Sequence, residues 1–119
     1  MVEEVYVNFE TAKLLKEKGF NEGCSTTYTP NGFFHTHNYR PLLGDIFAPT
    51  QQMAMAWLRE EYKLFIEIRV GINDDEIWYD FDVLPLDDRH INPIDEMNEF
   101  DTYEEAVETA IQYCLTNLV

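Results

Sequence analysis

His35 and His37 stand two apart in a stretch that reads as a strand, so both imidazoles point to one face. Such a pair can hold a transition metal, and Cys24 on the preceding limb could be a third ligand. The competing reading is an edge strand carrying polar aromatics beside Phe33 and Tyr39. No further Cys or His falls at ligand spacing to support the metal.

A second set is carboxylic. Asp80 and Asp82 share one face of a later strand, with α-carbons about 7 Å apart from strand rise alone. Glu67 lies across the ladder from them. That separation suits paired carboxylates in glycoside hydrolysis. Catalysis by such a pair also needs a cleft and unequal environments. The competing reading is the solvent face of a sheet, with Arg69 balancing part of the charge. Phe65 and Trp78 fall on that same face, and aromatics exposed among carboxylates mark partner surfaces. A homodimer formed across this face is a further use of it.

Other candidates are thinner. Asn73-Asp74-Asp75-Glu76 and Asp87-Asp88 supply oxygens, but adjacent acids with no intervening Gly do not make a calcium loop. The only serine, Ser25, has no nucleophile-elbow context. Cys114 falls on the apolar stripe of a helix and reads as core. His90, beside Arg89, reads as a surface loop residue.

The elements that must position these residues are legible. Phe9 to Lys18 reads as a helix capped by Asn8, with Gly19 as the left-handed C′ residue and Phe20 folding back on Leu15. Residues 24–40 read as a hairpin around Pro30-Asn31-Gly32, where Pro fixes φ and Asn and Gly accept positive φ. Its weak alternation predicts an edge or a mostly exposed position. Residues 41–49 read as a connection. A second helix is expected from about Thr50 to Tyr62, with Ala54, Trp57, Leu58 and Tyr62 on its inner face.

The clearest alternation is Leu64, Ile66, Ile68, Val70 and Ile72, which predicts a strand with one buried face. It resumes at Ile77, Tyr79, Phe81 and Val83. Pairing Ile72 with Ile77 keeps both apolar sets together. It sets Arg69 against Asp80, which is favourable, and Glu67 against Asp82, which is not. Residues 85–100 read as irregular. The last helix starts at Asp101 or Thr102 with a capping box, and its stripe runs from Tyr103 through Ala106, Val107, Ala110, Ile111, Cys114 and Leu115 to Leu118.

The expectation is one α+β domain over residues 1–119, ordered helix–hairpin–helix–hairpin–helix, with an antiparallel sheet and helices packed on one face. No Gly-rich phosphate loop follows a strand, which argues against a nucleotide-binding α/β fold. At 119 residues and 45% apolar, the chain can build a core without disulfide or metal staples.

Charge narrows the partners. The net charge is −15. Residues 1–72 hold nine acids and seven bases, whereas residues 73–119 hold fourteen acids and only Arg89. Direct nucleic-acid binding needs clustered Lys and Arg, so it is not expected, and anionic membranes are disfavoured for the same reason. The start of the chain lacks the basic and apolar segments of a signal peptide, so a cytoplasmic setting with reduced thiols is expected. No cofactor is expected.

Three segments together carry a resemblance. They are Phe9-Glu10-Thr11-Ala12-Lys13-Leu14-Leu15-Lys16-Glu17-Lys18-Gly19-Phe20, then Ala48-Pro49-Thr50-Gln51 leading to Trp57-Leu58-Arg59-Glu60, then Thr102-Tyr103-Glu104-Glu105-Ala106. The set resembles small uncharacterised proteins of Bacteroides-type bacteria, often in prophage or mobile-element regions. That resemblance implies a phage-related setting and carries no site residues.

The leading functional expectation is a non-enzymatic interaction protein whose acidic C-terminal surface binds a basic partner, with a DNA mimic as its sharper form. One alternative is a metal-dependent or hydrolytic enzyme using His35, His37 and Cys24, or Asp80 and Asp82. Another is a structural accessory protein that assembles with copies of itself.

Overall fold

The computed structural model describes residues 2–36, 42–87 and 99–119. The elements are α1 (Phe9–Glu17), β1 (Thr26–Tyr28), β2 (Phe34–Thr36), β3 (Ile46–Phe47), α2 (Gln51–Tyr62), β4 (Leu64–Ile72), β5 (Ile77–Pro85) and α3 (Tyr103–Asn117). The chain is therefore α+β. The strands do not form the one sheet expected. Among the described residues they form two sheets, an antiparallel β2–β1–β3 and an antiparallel β4–β5.

The helix ends follow local chemistry. Asn8 accepts from the Thr11 backbone N–H at 2.9 Å, and Thr50 and Thr102 accept from Met53 and Glu105 at 3.1 Å each. Thr102 is thus the cap of α3, rather than Asp101. At the other end of α1, Gly19 takes φ +97°, and Phe20 N–H donates to Leu15 C=O at 2.9 Å. That is the Schellman ending, and it seats the Phe20 ring in the core beside Trp57, with ring centroids 5.3 Å apart.

The connection at 41–49 holds a strand that the sequence pattern did not suggest. Ile46 and Phe47 pair with Tyr28 and Thr27, so β1 is central and β2 is the exposed edge. Gly32 takes φ +90° in the turn between β1 and β2, and a Cβ there would lie 3.2 Å from the Phe9 ring. Residues 37–41, which hold His37 and the rest of the expected return strand, lie outside the described residues.

The core sits between the three helices and the apolar face of β4–β5. Leu15, Leu58, Leu64, Val107, Ile111 and Leu115 are fully buried there. Phe81 faces Tyr113 of α3, and Phe100 stacks on Phe81. No described helix is long and apolar enough to cross a membrane.

Candidate functional site

The β4–β5 ladder has the register read from the sequence, with Ile72 opposite Ile77, Arg69 opposite Asp80 and Glu67 opposite Asp82. Side chains alternate across a strand, so the apolar set that packs on the helices leaves a second face outward. That outer face carries Phe65 with Leu84, Glu67 with Asp82, Arg69 with Asp80, and Gly71 with Trp78. Apolar pairs lie at both ends and the acids between them. Leu84, which is 41% exposed, completes the surface with Phe65 and was missed in the sequence. The register sum that placed Asp80 opposite Arg69 would have found it.

The three outer carboxylates are not equivalent, and they share one cation, Arg69. Asp80 is buried, and Arg69 Nε donates to its Oδ1 at 2.7 Å. The hydrogen bond to Asp80 holds the Arg69 guanidinium above its ordinary value, against a smaller opposing effect of burial. Asp82 Oδ1 accepts from the Val83 N–H at 2.8 Å. Glu67 and Asp82 face each other across the ladder and share the field of Arg69 with Asp80, which leaves three carboxylates to one cation at the centre of the face. The Trp78 indole occupies the space beside Gly71, where a Cβ would overlap the ring.

Asp80 is therefore committed to Arg69, which weighs against a free catalytic dyad with Asp82. The thiol set is similarly unprepared. Burial, and then the charge of Glu22, push the Cys24 thiol up to about 11. Its Sγ donates to Glu22 C=O at 3.3 Å and lies 3.9 Å from Met53 Sδ. That shift lowers the thiolate fraction at neutral pH and so slows any attack by this thiol. His35 is exposed on β2, opposite Thr27, and His37 is outside the described residues. Among the described residues, no three His, Cys, Asp or Glu side chains gather to hold a metal ion. Cys114 is fully buried in α3, and its thiol is pushed up to about 12 by burial.

Other acids lie away from this face. Asp74, Asp75 and Glu76 form the exposed turn of the hairpin, where Asn73 Oδ1 accepts from the N–H groups of Asp75 and Glu76. Glu104, with Glu3 and Glu4, rims a cavity of about 310 Å³ against Tyr103 and the start of α2. A second cavity, of about 330 Å³, is lined by Cys24, Tyr6, Thr50 and Met53 among others. Glu108 is half-buried and committed to the helix junction rather than to an open acidic surface. It turns inward, and its carboxylate accepts from Asn8 N–H, Thr11 Oγ1 and Gln51 Nε2.

In comparisons with known proteins, no family model matches the chain, and neither a curated protein nor a solved structure does.

Proposed function

We propose that this chain is a non-enzymatic interaction protein of a phage or mobile element, and that it binds a basic protein partner through the outer face of β4–β5. The observation that carries the reading is the Glu67–Asp82 pair, which shares the single guanidinium of Arg69 with Asp80 and so leaves three carboxylates to one cation, set between the half-exposed apolar pairs Phe65–Leu84 and Gly71–Trp78. An apolar surface with carboxylates at its centre matches a partner that offers Lys or Arg around an apolar contact. The acidic turn at Asp74, Asp75 and Glu76 extends the field that would steer such a partner. The DNA-mimic form is less well supported, because Arg69 removes Asp80 from any phosphate-like row of charges.

The test is capture from host lysate with purified chain as bait, run beside the double variant Glu67→Gln/Asp82→Asn. A basic protein retained by the native chain at about 0.1 M salt, released near about 0.5 M, and lost with the variant supports the reading. Equal capture by both, or capture indifferent to salt, rejects it.

A further inference from the structure

In an antiparallel ladder, opposed residues alternate between pairs that exchange both backbone bonds and pairs that exchange none. Two bonds fix the phase in this hairpin. Asn73 N–H donates to Glu76 C=O at 3.0 Å at one end, and Leu86 N–H donates to Lys63 C=O at 2.7 Å at the other. Phe65, Glu67, Arg69 and Gly71 therefore spend their backbone groups on β5. Ile66, Ile68, Val70 and Ile72 turn theirs to the opposite edge. The other strand agrees with this phase. The same alternation points Tyr79 outward from β5, and Tyr79 exchanges both bonds with Phe100, at 2.9 and 2.8 Å.

The outer edge of β5 is thus engaged at Tyr79, whereas the outer edge of β4 has no strand beside it among the described residues. Edge strands are usually blunted by Lys, Pro or short length. β4 is nine residues long, contains neither Lys nor Pro, carries one charge of each sign at Glu67 and Arg69, and leaves Val70 and Ile72 55% and 71% exposed.

We propose that this edge pairs with β4 of a second copy, giving a two-fold dimer centred on Ile68. Residue 68 is the midpoint of Leu64–Ile72, so full overlap of the two strands sets Ile68 against Ile68. On the apolar face, Ile66 of each copy then meets Val70 of the other, and Leu64 meets Ile72. On the outer face, Glu67 of each copy meets Arg69 of the other, twice by symmetry. Phe65 comes opposite Gly71. Sliding one copy by two residues, the smallest shift that keeps the hydrogen bonds, opposes Glu67 to Glu67 or Arg69 to Arg69. The charges therefore select the same register that maximises overlap. Asn73 of each copy also comes level with Lys63 of the other, which brings the acidic turn to a cation.

The product is a four-stranded sheet, β5–β4–β4–β5, with the helices of both copies on one side and both outer faces on the other. It satisfies backbone groups on a long apolar edge and covers Val70 and Ile72. It draws on Glu67, which the basic-partner reading also uses, but it leaves the outer faces and Asp82 open, and the two readings part on their response to salt. The salt dependence has the opposite sign. Two chains of net charge −15 repel each other at long range, so screening strengthens the dimer while weakening a basic partner's hold.

Sedimentation equilibrium of the purified chain tests it, beside Val70→Lys and, in a Cys24→Ser background, Ile68→Cys. The native chain is expected to approach twice its 14.1 kDa mass as concentration and salt rise. Val70→Lys, with unchanged far-UV circular dichroism, is expected to raise the dissociation constant by about tenfold or more. Ile68→Cys is expected to give a covalent dimer with a short bifunctional thiol cross-linker, since opposed α-carbons in such a pair lie about 5.5 Å apart and their β-carbons stand wider than a relaxed disulfide needs. A native chain that is monomeric at every concentration overturns the proposal. So does a dimer that Val70→Lys leaves intact, or one in which Ile68→Cys fails to cross-link.

Discussion

Gln51 Nε2 lies 3.0 Å from Glu108 Oε1, joining the first residue of α2 to the second turn of α3. The same carboxylate receives Asn8 N–H and Thr11 Oγ1 from the start of α1. Two helix N-termini thus converge on one acid carried by the third helix, where the dipoles favour a negative charge. Gln51 itself is nearly buried and donates a second time, to Glu104 C=O at 3.0 Å. This polar joint fixes how the three helices meet above the core.

Glu108→Ala is expected to destabilise the chain by about 2 kcal/mol, because several part-buried donors lose their acceptor at once. Glu108→Gln should cost less, as its amide oxygen can still accept. Urea unfolding of both variants checks the order. A Glu108→Ala midpoint equal to the native one would contradict the role given to this joint.

Arg69→Ala leaves the nearly buried Asp80 carboxylate without its cation. The expected loss is about 1–2 kcal/mol, held down by the partial exposure of Arg69. The double variant Arg69→Ala/Asp80→Asn should recover most of it. A double-mutant cycle by chemical denaturation measures the coupling.

Gly71→Ala forces the Trp78 indole off the strand, since a Cβ at that position overlaps the ring. The expected outcome is a red-shifted fluorescence component from Trp78, against the unchanged signal of the buried Trp57. Stability should fall by about 1–2 kcal/mol.

Cys24 and Cys114 make the alkaline behaviour predictable. Both thiols have folded values raised from 9.0, to about 11 and about 12. The folded state holds these protons more tightly than the unfolded one. The stability tied to them is therefore fully present below about pH 9 and lost as pH rises through 11 to 12. Alkylation of Cys24 near neutral pH should run about 100-fold slower than for an ordinary thiol, in proportion to its smaller thiolate fraction. Stopped-time alkylation with mass spectrometry against pH reads both effects, with Cys24 reacting before Cys114.

Much of this architecture follows from short-range chemistry, which is why it was legible. The Asn8 and Thr50 caps, the Gly19–Phe20 ending and the period-two alternation of β4 and β5 each depend on residues within a few positions of one another. The register of Arg69 against Asp80 follows from the turn at Asn73–Glu76 in the same way. What was not legible depends on distant partners. Ile46 and Phe47 become a strand only because β1 lies beside them. Phe100 becomes a bridge only because the edge of β5 is free at Tyr79. Glu108 reads locally as an acid near a helix start, and nothing around it announces Thr11 or Gln51. The difference between Asp80, set against Arg69, and Asp82, set against Glu67, was already legible in the register, and the 2.7 Å bond from Arg69 Nε to Asp80 Oδ1 bears it out. The histidine pair stands as a sequence expectation only, since His37 lies outside the described residues.

The central claim is that the outer face of β4–β5 binds a basic protein. The most direct measurement is the affinity of a captured partner for the native chain and for Glu67→Gln/Asp82→Asn across salt concentration. The account predicts that native affinity falls at least about tenfold between about 0.1 and 0.5 M salt, and that the variant binds more weakly with a shallower slope. An affinity unchanged by salt, or equal in the two proteins, would contradict it.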